Sequence, residues 1–118
     1  PAGAEAPPAL AALDGTTWNL KIEPLDAGGE PGTDFLRFAE RHAILMHWQE
    51  RGFQKAGFSM NPQPKDGTVA FEFQNRNPQG EMLSVSGCAH ADAVWGTLTW
   101  RKADWTLRSF RFRGTPKK

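Results

Sequence analysis

About eight short runs in which apolar and polar residues alternate, each parted from the next by a few turn-forming residues, restrict this chain to a small antiparallel β structure. Alternation with a period of two sends one face of a segment to a core and the other to water. Strands so close in sequence pair only as antiparallel neighbours, since a parallel crossover takes a dozen residues or more. The first run follows the Asp14-Gly15 turn and sets Trp18, Leu20 and Ile22 against Thr17, Asn19 and Lys21. Pro24 to Thr33, with three glycines and two prolines, forms a loop. Further strands are expected over Asp34–Phe38, His42–His47, Ala56–Met60, Thr68–Gln74, Glu81–Cys88, Ala93–Arg101 and Trp105–Arg113. Glu40-Arg41, Asp66-Gly67 and Asn77-Pro78-Gln79-Gly80 supply tight connections. Trp48-Gln49-Glu50-Arg51 breaks the alternation and predicts a single helical turn stopped by Gly52.

Eight strands with one apolar face either stack as two sheets or curl until their edges meet. Closure removes the edges, and eight strands leave an interior that side chains just fill or that holds one small ligand. The expected fold is all-β: an eight-stranded antiparallel up-and-down barrel with at most one short helical turn.

At 118 residues the chain makes one domain, expected over residues 13–118. Residues 1–12, rich in Ala and Pro, have no periodic apolar face and are expected to be a disordered leader. A leader of this composition suggests export, to the periplasm or beyond, with the cytoplasm not excluded. The single cysteine, Cys88, leaves the redox compartment open. A formal net charge of +1 gives no bulk attraction to nucleic acid or anionic membrane, and no apolar stretch approaches the roughly 20 residues of a membrane span. The chain is expected to be soluble.

The inward set reads Trp18, Leu20, Ile22, Leu36, Phe38, Ile44, Met46, Phe58, Val69, Phe71, Phe73, Val85, Val94, Leu98, Trp100, Phe110 and Phe112. These residues fill a core outright or, in part, line a cavity. Gly87 and Gly96 fall on the inner face of adjacent strands, which marks curvature or the close approach of something bulky, either an indole such as Trp100 or a ligand. Trp105 and Leu107 share one parity while Phe110 and Phe112 share the other, so a bulge is expected near Arg108-Ser109. Counting back from Phe112 puts Arg108 inside, where its guanidinium must snorkel to the barrel mouth or meet an acid such as Glu72, water or an anionic ligand group. The ligand-binding candidates are Phe38, Met46, Phe71, Phe73, Trp100, Arg108 and Phe110. Trp95 falls outside, with Phe35 as neighbour in a patch for a partner protein or a second subunit, or as an isolated surface indole.

Neither metal nor cofactor is expected: His42 and His47 have opposite parity, and Cys88-X-His90 matches no known ligand spacing. No enzymatic role is expected either. Asp34, Glu50, Asp66, Glu81 and Asp104 sit in or beside turns where carboxylates are solvated, and Ser84, Ser86 and Cys88 lie on the outer parity. The basic and aromatic residues near the C-terminus are needed by the core, so nucleic acid is not an expected partner.

Leu13-Asp14-Gly15-Thr16-Thr17-Trp18, Gly96-Thr97-Leu98-Thr99-Trp100 and Phe110-Arg111-Phe112-Arg113-Gly114 resemble segments of small exported bacterial lipocalin-like proteins of the calycin type. Calycins carry Gly-X-Trp at the start of the first strand, whereas this chain has Gly15-X-X-Trp18, one residue longer. The resemblance implies that Arg111 or Arg113 closes the barrel by packing over Trp18. It also implies binding of a small, largely apolar or amphipathic molecule inside the barrel. The alternative is a structural or interaction module with a filled barrel and a binding patch on its outer wall.

Overall fold

A computed structural model describes residues 13–26, 30–63 and 67–117, with the side chains of residues 62 and 63 left aside. The expected leader and Asp66 of the predicted turn lie outside the described residues. Eight strands run β1 Thr17–Pro24, β2 Gly32–Ala39, β3 His42–Leu45, β4 Ala56–Gln63, β5 Thr68–Arg76, β6 Met82–His90, β7 Ala93–Arg101 and β8 Leu107–Pro116. Each pairs antiparallel with its sequence neighbour, and β8 returns to β1 from Trp18↔Pro116 to Pro24↔Phe110, which closes the sheet into a barrel. The architecture is the up-and-down barrel that alternation predicts, and it is compatible with a calycin-like fold.

Up-and-down order gives the barrel two unlike ends. At one, the chain enters at Leu13 and the β2–β3, β4–β5 and β6–β7 turns gather. Glu40 and Arg41 make their turn with φ of 52° and 63°, the paired left-handed geometry that suits a two-residue hairpin. The other end, the mouth, carries the β1–β2 loop, the segment between β3 and β4, and the β5–β6 and β7–β8 turns. In that segment Trp48–Arg51 forms one 3-10 turn, and Gly52 stops it at φ 88°.

The interior is one contiguous apolar cluster that runs from Leu13 and Trp18 to Phe110 and Phe112. Phe38 sits at its centre, edge-on to Phe58, Phe71 and Phe73 with ring centroids 4.9, 5.1 and 6.4 Å away. Gly87 pairs with Gly96, and the Phe112 ring fills the space that their missing side chains leave. A Cβ on Gly87 would come within 2.9 Å of both Phe112 and Phe71. The bulky neighbours behind the two glycines are therefore these phenyl rings, and neither Trp100 nor a ligand is needed to account for them.

Two strand readings are corrected. On β3 the pairs Leu36↔Leu45 and Phe38↔Ala43 turn Ala43 and Leu45 inward, so Met46 is 37% exposed and Ile44 is buried off the core's parity. On β8 the register against β7 is unbroken from Val94↔Gly114 to Arg101↔Leu107, so there is no bulge. Leu107 and Trp105 simply lie outside.

Candidate functional site: the mouth of the barrel

The two ends handle their polar groups differently. At the closed end the Gly15 N–H donates to Phe38 O at 2.7 Å, and the Phe38 N–H to Thr16 O at 2.9 Å. The Arg41 N–H donates to Asp14 Oδ1, and Trp18 Nε1–H to Thr16 Oγ1. Thr16 in turn donates to Leu13 O. The one-residue-longer Gly15-Thr16-Thr17-Trp18 run is thus a cap that seats Leu13 and the Trp18 indole in the bottom of the core.

Neither arginine from β8 lies over that indole. Arg111 and Arg113 point outward, because Phe110 and Phe112 between them point in. Arg111 instead pairs with Glu23 at 2.9 Å, and its hydrogen bond and charge hold the Glu23 carboxyl below the usual carboxylate range. Arg113 is paired in register with Lys21 and Trp95 on the outer wall.

At the mouth, the 3-10 turn is built from three directions. Asp34 shares the inward parity of Leu36 and Phe38, and its Oδ1 accepts the N–H groups of Phe35 at 2.6 Å and His47 at 2.8 Å, with the Trp48 N–H directed at it as well. A carboxylate so placed anchors His47, the residue that leads into the turn. Asn77 Nδ2 donates to Arg51 O at 3.1 Å and fixes the turn's last residue, while the Gln54 N–H donates to Arg76 O. His47 Nδ1 lies 2.9 Å from Thr33 O, an interaction that ties the turn to β2.

This scaffold lays Trp48 across the top of the core. Its ring meets Trp100 at 5.1 Å, Phe53 at 5.8 Å and Phe110 at 6.3 Å, all edge-on. The Arg51 guanidinium sits in the corner of the two indoles, 5.0 Å from the Trp48 centroid and 4.7 Å from that of Trp100. Lys102 Nζ lies 5.4 Å from the Trp100 ring. Around this corner opens a concavity of about 510 Å³, lined also by Asp34, His47, Arg108 and Phe110.

Three buried side-chain atoms lack a hydrogen-bond partner among the described residues: Asp34 Oδ2, Asn75 Oδ1 and Trp100 Nε1. All three belong to the mouth end, and two of their residues line the concavity. Burial pushes the Asp34 carboxyl above its ordinary range, against the backbone hydrogen bonds to His47 and Phe35. Arg51, Lys102 and Arg108 stand outside the two ion pairs seen among the described residues. The exposed acids Glu30 and Glu50 share the rim.

The candidate ligand residues therefore divide. Trp100, Arg108 and Phe110 meet at the mouth, whereas Phe38, Phe71 and Phe73 pack on one another in the filled interior and Met46 lies outside. Arg108 reaches the rim, and its Nη1 donates to Leu107 O at 3.4 Å; Glu72 is on the outer wall elsewhere. Asp34, placed by sequence among solvated turn carboxylates, is 2% exposed. Sequence reading also passed over Trp48 and Arg51, whose three-residue spacing in the alternation break was the available signal.

On the outer wall Trp95 is 43% exposed and shares with Phe35 a groove of about 640 Å³ between β7, β8, β1 and β2. The floor between them is Arg113, Lys21 and Asn19, and Lys117 Nζ lies 4.7 Å from the Phe35 ring. Among the described residues no three His, Cys, Asp or Glu side chains gather as metal ligands, and no helix is long and apolar enough to cross a membrane. Comparison with protein-family models, curated proteins and solved structures finds no match to this chain.

Proposed function

We propose that this protein binds a small amphipathic ligand at the mouth of its barrel, not deep inside it. The observation that carries the reading is the convergence on one concavity of the Trp48 and Trp100 indoles and the Arg51, Lys102 and Arg108 cations, none of the three in an ion pair among the described residues, together with Asp34 and Trp100, each of which has a buried polar atom without a partner. An indole N–H only donates, and a buried donor left without an acceptor costs roughly 1–3 kcal/mol. In folded proteins such a group is met by an ordered water, an ion or a ligand. The filled interior supports a shallow seat, since the ring cluster around Phe38 and the Phe112 ring over Gly87 and Gly96 occupy the space a deeper ligand would need. On this reading the chain is a binder and not an enzyme, an exported lipocalin-like protein whose site has moved to the rim. Native mass spectrometry of protein purified from its own host tests it. A small-molecule adduct is expected on the wild type and should be lost from Trp48→Ala. Bare mass from both, with no small molecule protecting the wild type against thermal unfolding, overturns it.

A second reading has its own observation, the Trp95–Phe35 groove. Two partly exposed rings on either side of a floor that carries Lys21 and Arg113 suit a protein partner that brings apolar and acidic side chains. Capture of the same partner by wild type and by Trp48→Ala, but not by Trp95→Ala, would favour it.

A further inference from the structure

We propose that the ligand of the mouth is a flat carboxylic acid, its ring against the Trp48 and Trp100 indoles and its carboxylate on the Arg51 guanidinium. This narrows the reading above and rests on it.

Three observations lead to that chemistry. The first is the preparation of Arg51. Asp34 anchors the start of its turn, Asn77 holds its carbonyl, and Gly52 ends the turn at a φ that only glycine adopts freely. The guanidinium carbon lies 5.0 Å from the Trp48 centroid and 4.7 Å from that of Trp100, so cation–π attraction holds the head group in the corner of the two rings. Its fork of N–H donors matches a carboxylate bidentately. No described carboxylate forms an ion pair with it.

The second is the charge of the rim. Arg108 and Lys102 add positive potential around Arg51, while Glu30 and Glu50, with the buried Asp34, oppose it. The balance favours a single negative group over a phosphate or a polyanion.

The third is depth. An alkyl chain needs a channel, and the path inward is blocked by Phe53, Phe110 and the packed rings below them. The apolar part of the ligand has only the perpendicular indole faces to cover, which suits a short, rigid, planar group.

The test uses the full chain labelled with ¹⁵N and follows its indole Nε1–H signals, assigned by single Trp→Phe variants. The probes are 1-naphthoate, its uncharged amide and dodecanoate. Naphthoate is expected to move the Trp48 and Trp100 signals and leave that of Trp18, at the closed end, in place. The amide should bind at least about tenfold more weakly, and Arg51→Gln should weaken naphthoate by a similar factor, as loss of a charge-assisted pair does. Arg111→Gln, on the outer wall, should not. An unmoved Trp18 signal in Arg51→Gln reports that the variant is folded. Equal binding of amide and acid, or full affinity in Arg51→Gln, overturns the carboxylate. Tighter binding of dodecanoate than naphthoate overturns the flat ligand and leaves the mouth reading standing. If no probe moves Trp48 or Trp100 at millimolar concentration, both fall.

Discussion

The closed end and the mouth are built by the same eight strands, yet they spend their polar groups in opposite ways. At the closed end Gly15, Thr16, Trp18 and Arg41 direct their donors at partners a few residues or one strand away, over a core that includes Leu13 and Trp18. At the mouth a four-residue turn is held from outside itself, by Asp34, Asn77 and Thr33, and the groups it assembles are left partly unsatisfied. On the proposed function, stability and recognition are separable in this fold. One end carries the packing that keeps the barrel shut, and the other concedes some stability to hold charged and aromatic groups ready.

That contrast can be broken or sharpened by mutation. The largest effect is expected in the wall beside the core: Gly96→Val drives its new Cβ into the Ser86 carbonyl and to within about 2.8 Å of the Phe112 ring. A collision with backbone cannot relax as a side chain does, so the cost should exceed about 3 kcal/mol and soluble, cooperatively melting protein should not be recovered. A normal melt would refute the packing described for this wall. Phe38→Ala, at the centre of the ring cluster, should cost about 3–5 kcal/mol in urea unfolding. Trp48→Ala at the mouth should cost only about 1–2 kcal/mol, the loss of edge-on ring contacts over a half-buried site. Equal costs for the two would erase the distinction between the ends.

A subtler test uses pH. Asp34 has its pKa raised by burial, so between its ordinary value and the raised one the folded state binds more protons than the unfolded state. Stability should fall as pH rises through that window, and Asp34→Asn should abolish the fall. Glu23 behaves in the opposite sense: Arg111 lowers its pKa, so its contribution is present above the ordinary carboxylate value and disappears as pH drops through the lowered one. Thermal melts of the wild type and Asp34→Asn across the acid range expose the Asp34 slope, on which the exposed Glu23 pair weighs little. The smallest effect belongs to Arg111→Gln. It removes an exposed pair, and its shift in melting temperature should be near the error of the measurement and vanish in high salt.

Much of the barrel was legible because alternation is a local signal that survives in single strands. β1, β5 and β6 alternate clearly, and every residue read as inward on them is buried, while Leu83, Ala89 and the polar Asn75 join the inner face unread. β3 was not readable in the same way. His42 to Met46 is apolar on both parities, so only the pairing of Leu45 with Leu36 decides which face is inside. On β8, Trp105 and Leu107 looked like core because they are large and apolar, and a bulge was the price of that assumption; an outer wall tolerates such residues singly. The mouth was the least legible part. Trp48 lies in a turn where periodicity says nothing, and its neighbours Trp100 and Phe110 arrive from β7 and β8, more than 50 residues on. Asp34 was within reach, since it continues the parity of Leu36 and Phe38. A carboxylate beside a loop reads as solvated until the N–H groups of His47 and Trp48 are seen to converge on it.

The seam between β1 and β8 carries a consequence for synthesis. Of the eight strands β1 is made first, and it finds its second neighbour only when residues 107–116 have emerged, so until then it offers an unpaired edge to any other nascent chain. Contacts that far apart in sequence carry a large loop-closure cost, which slows their formation relative to the hairpins. A cell producing this protein has reason to hold the growing chain apart from its siblings until the last strand arrives.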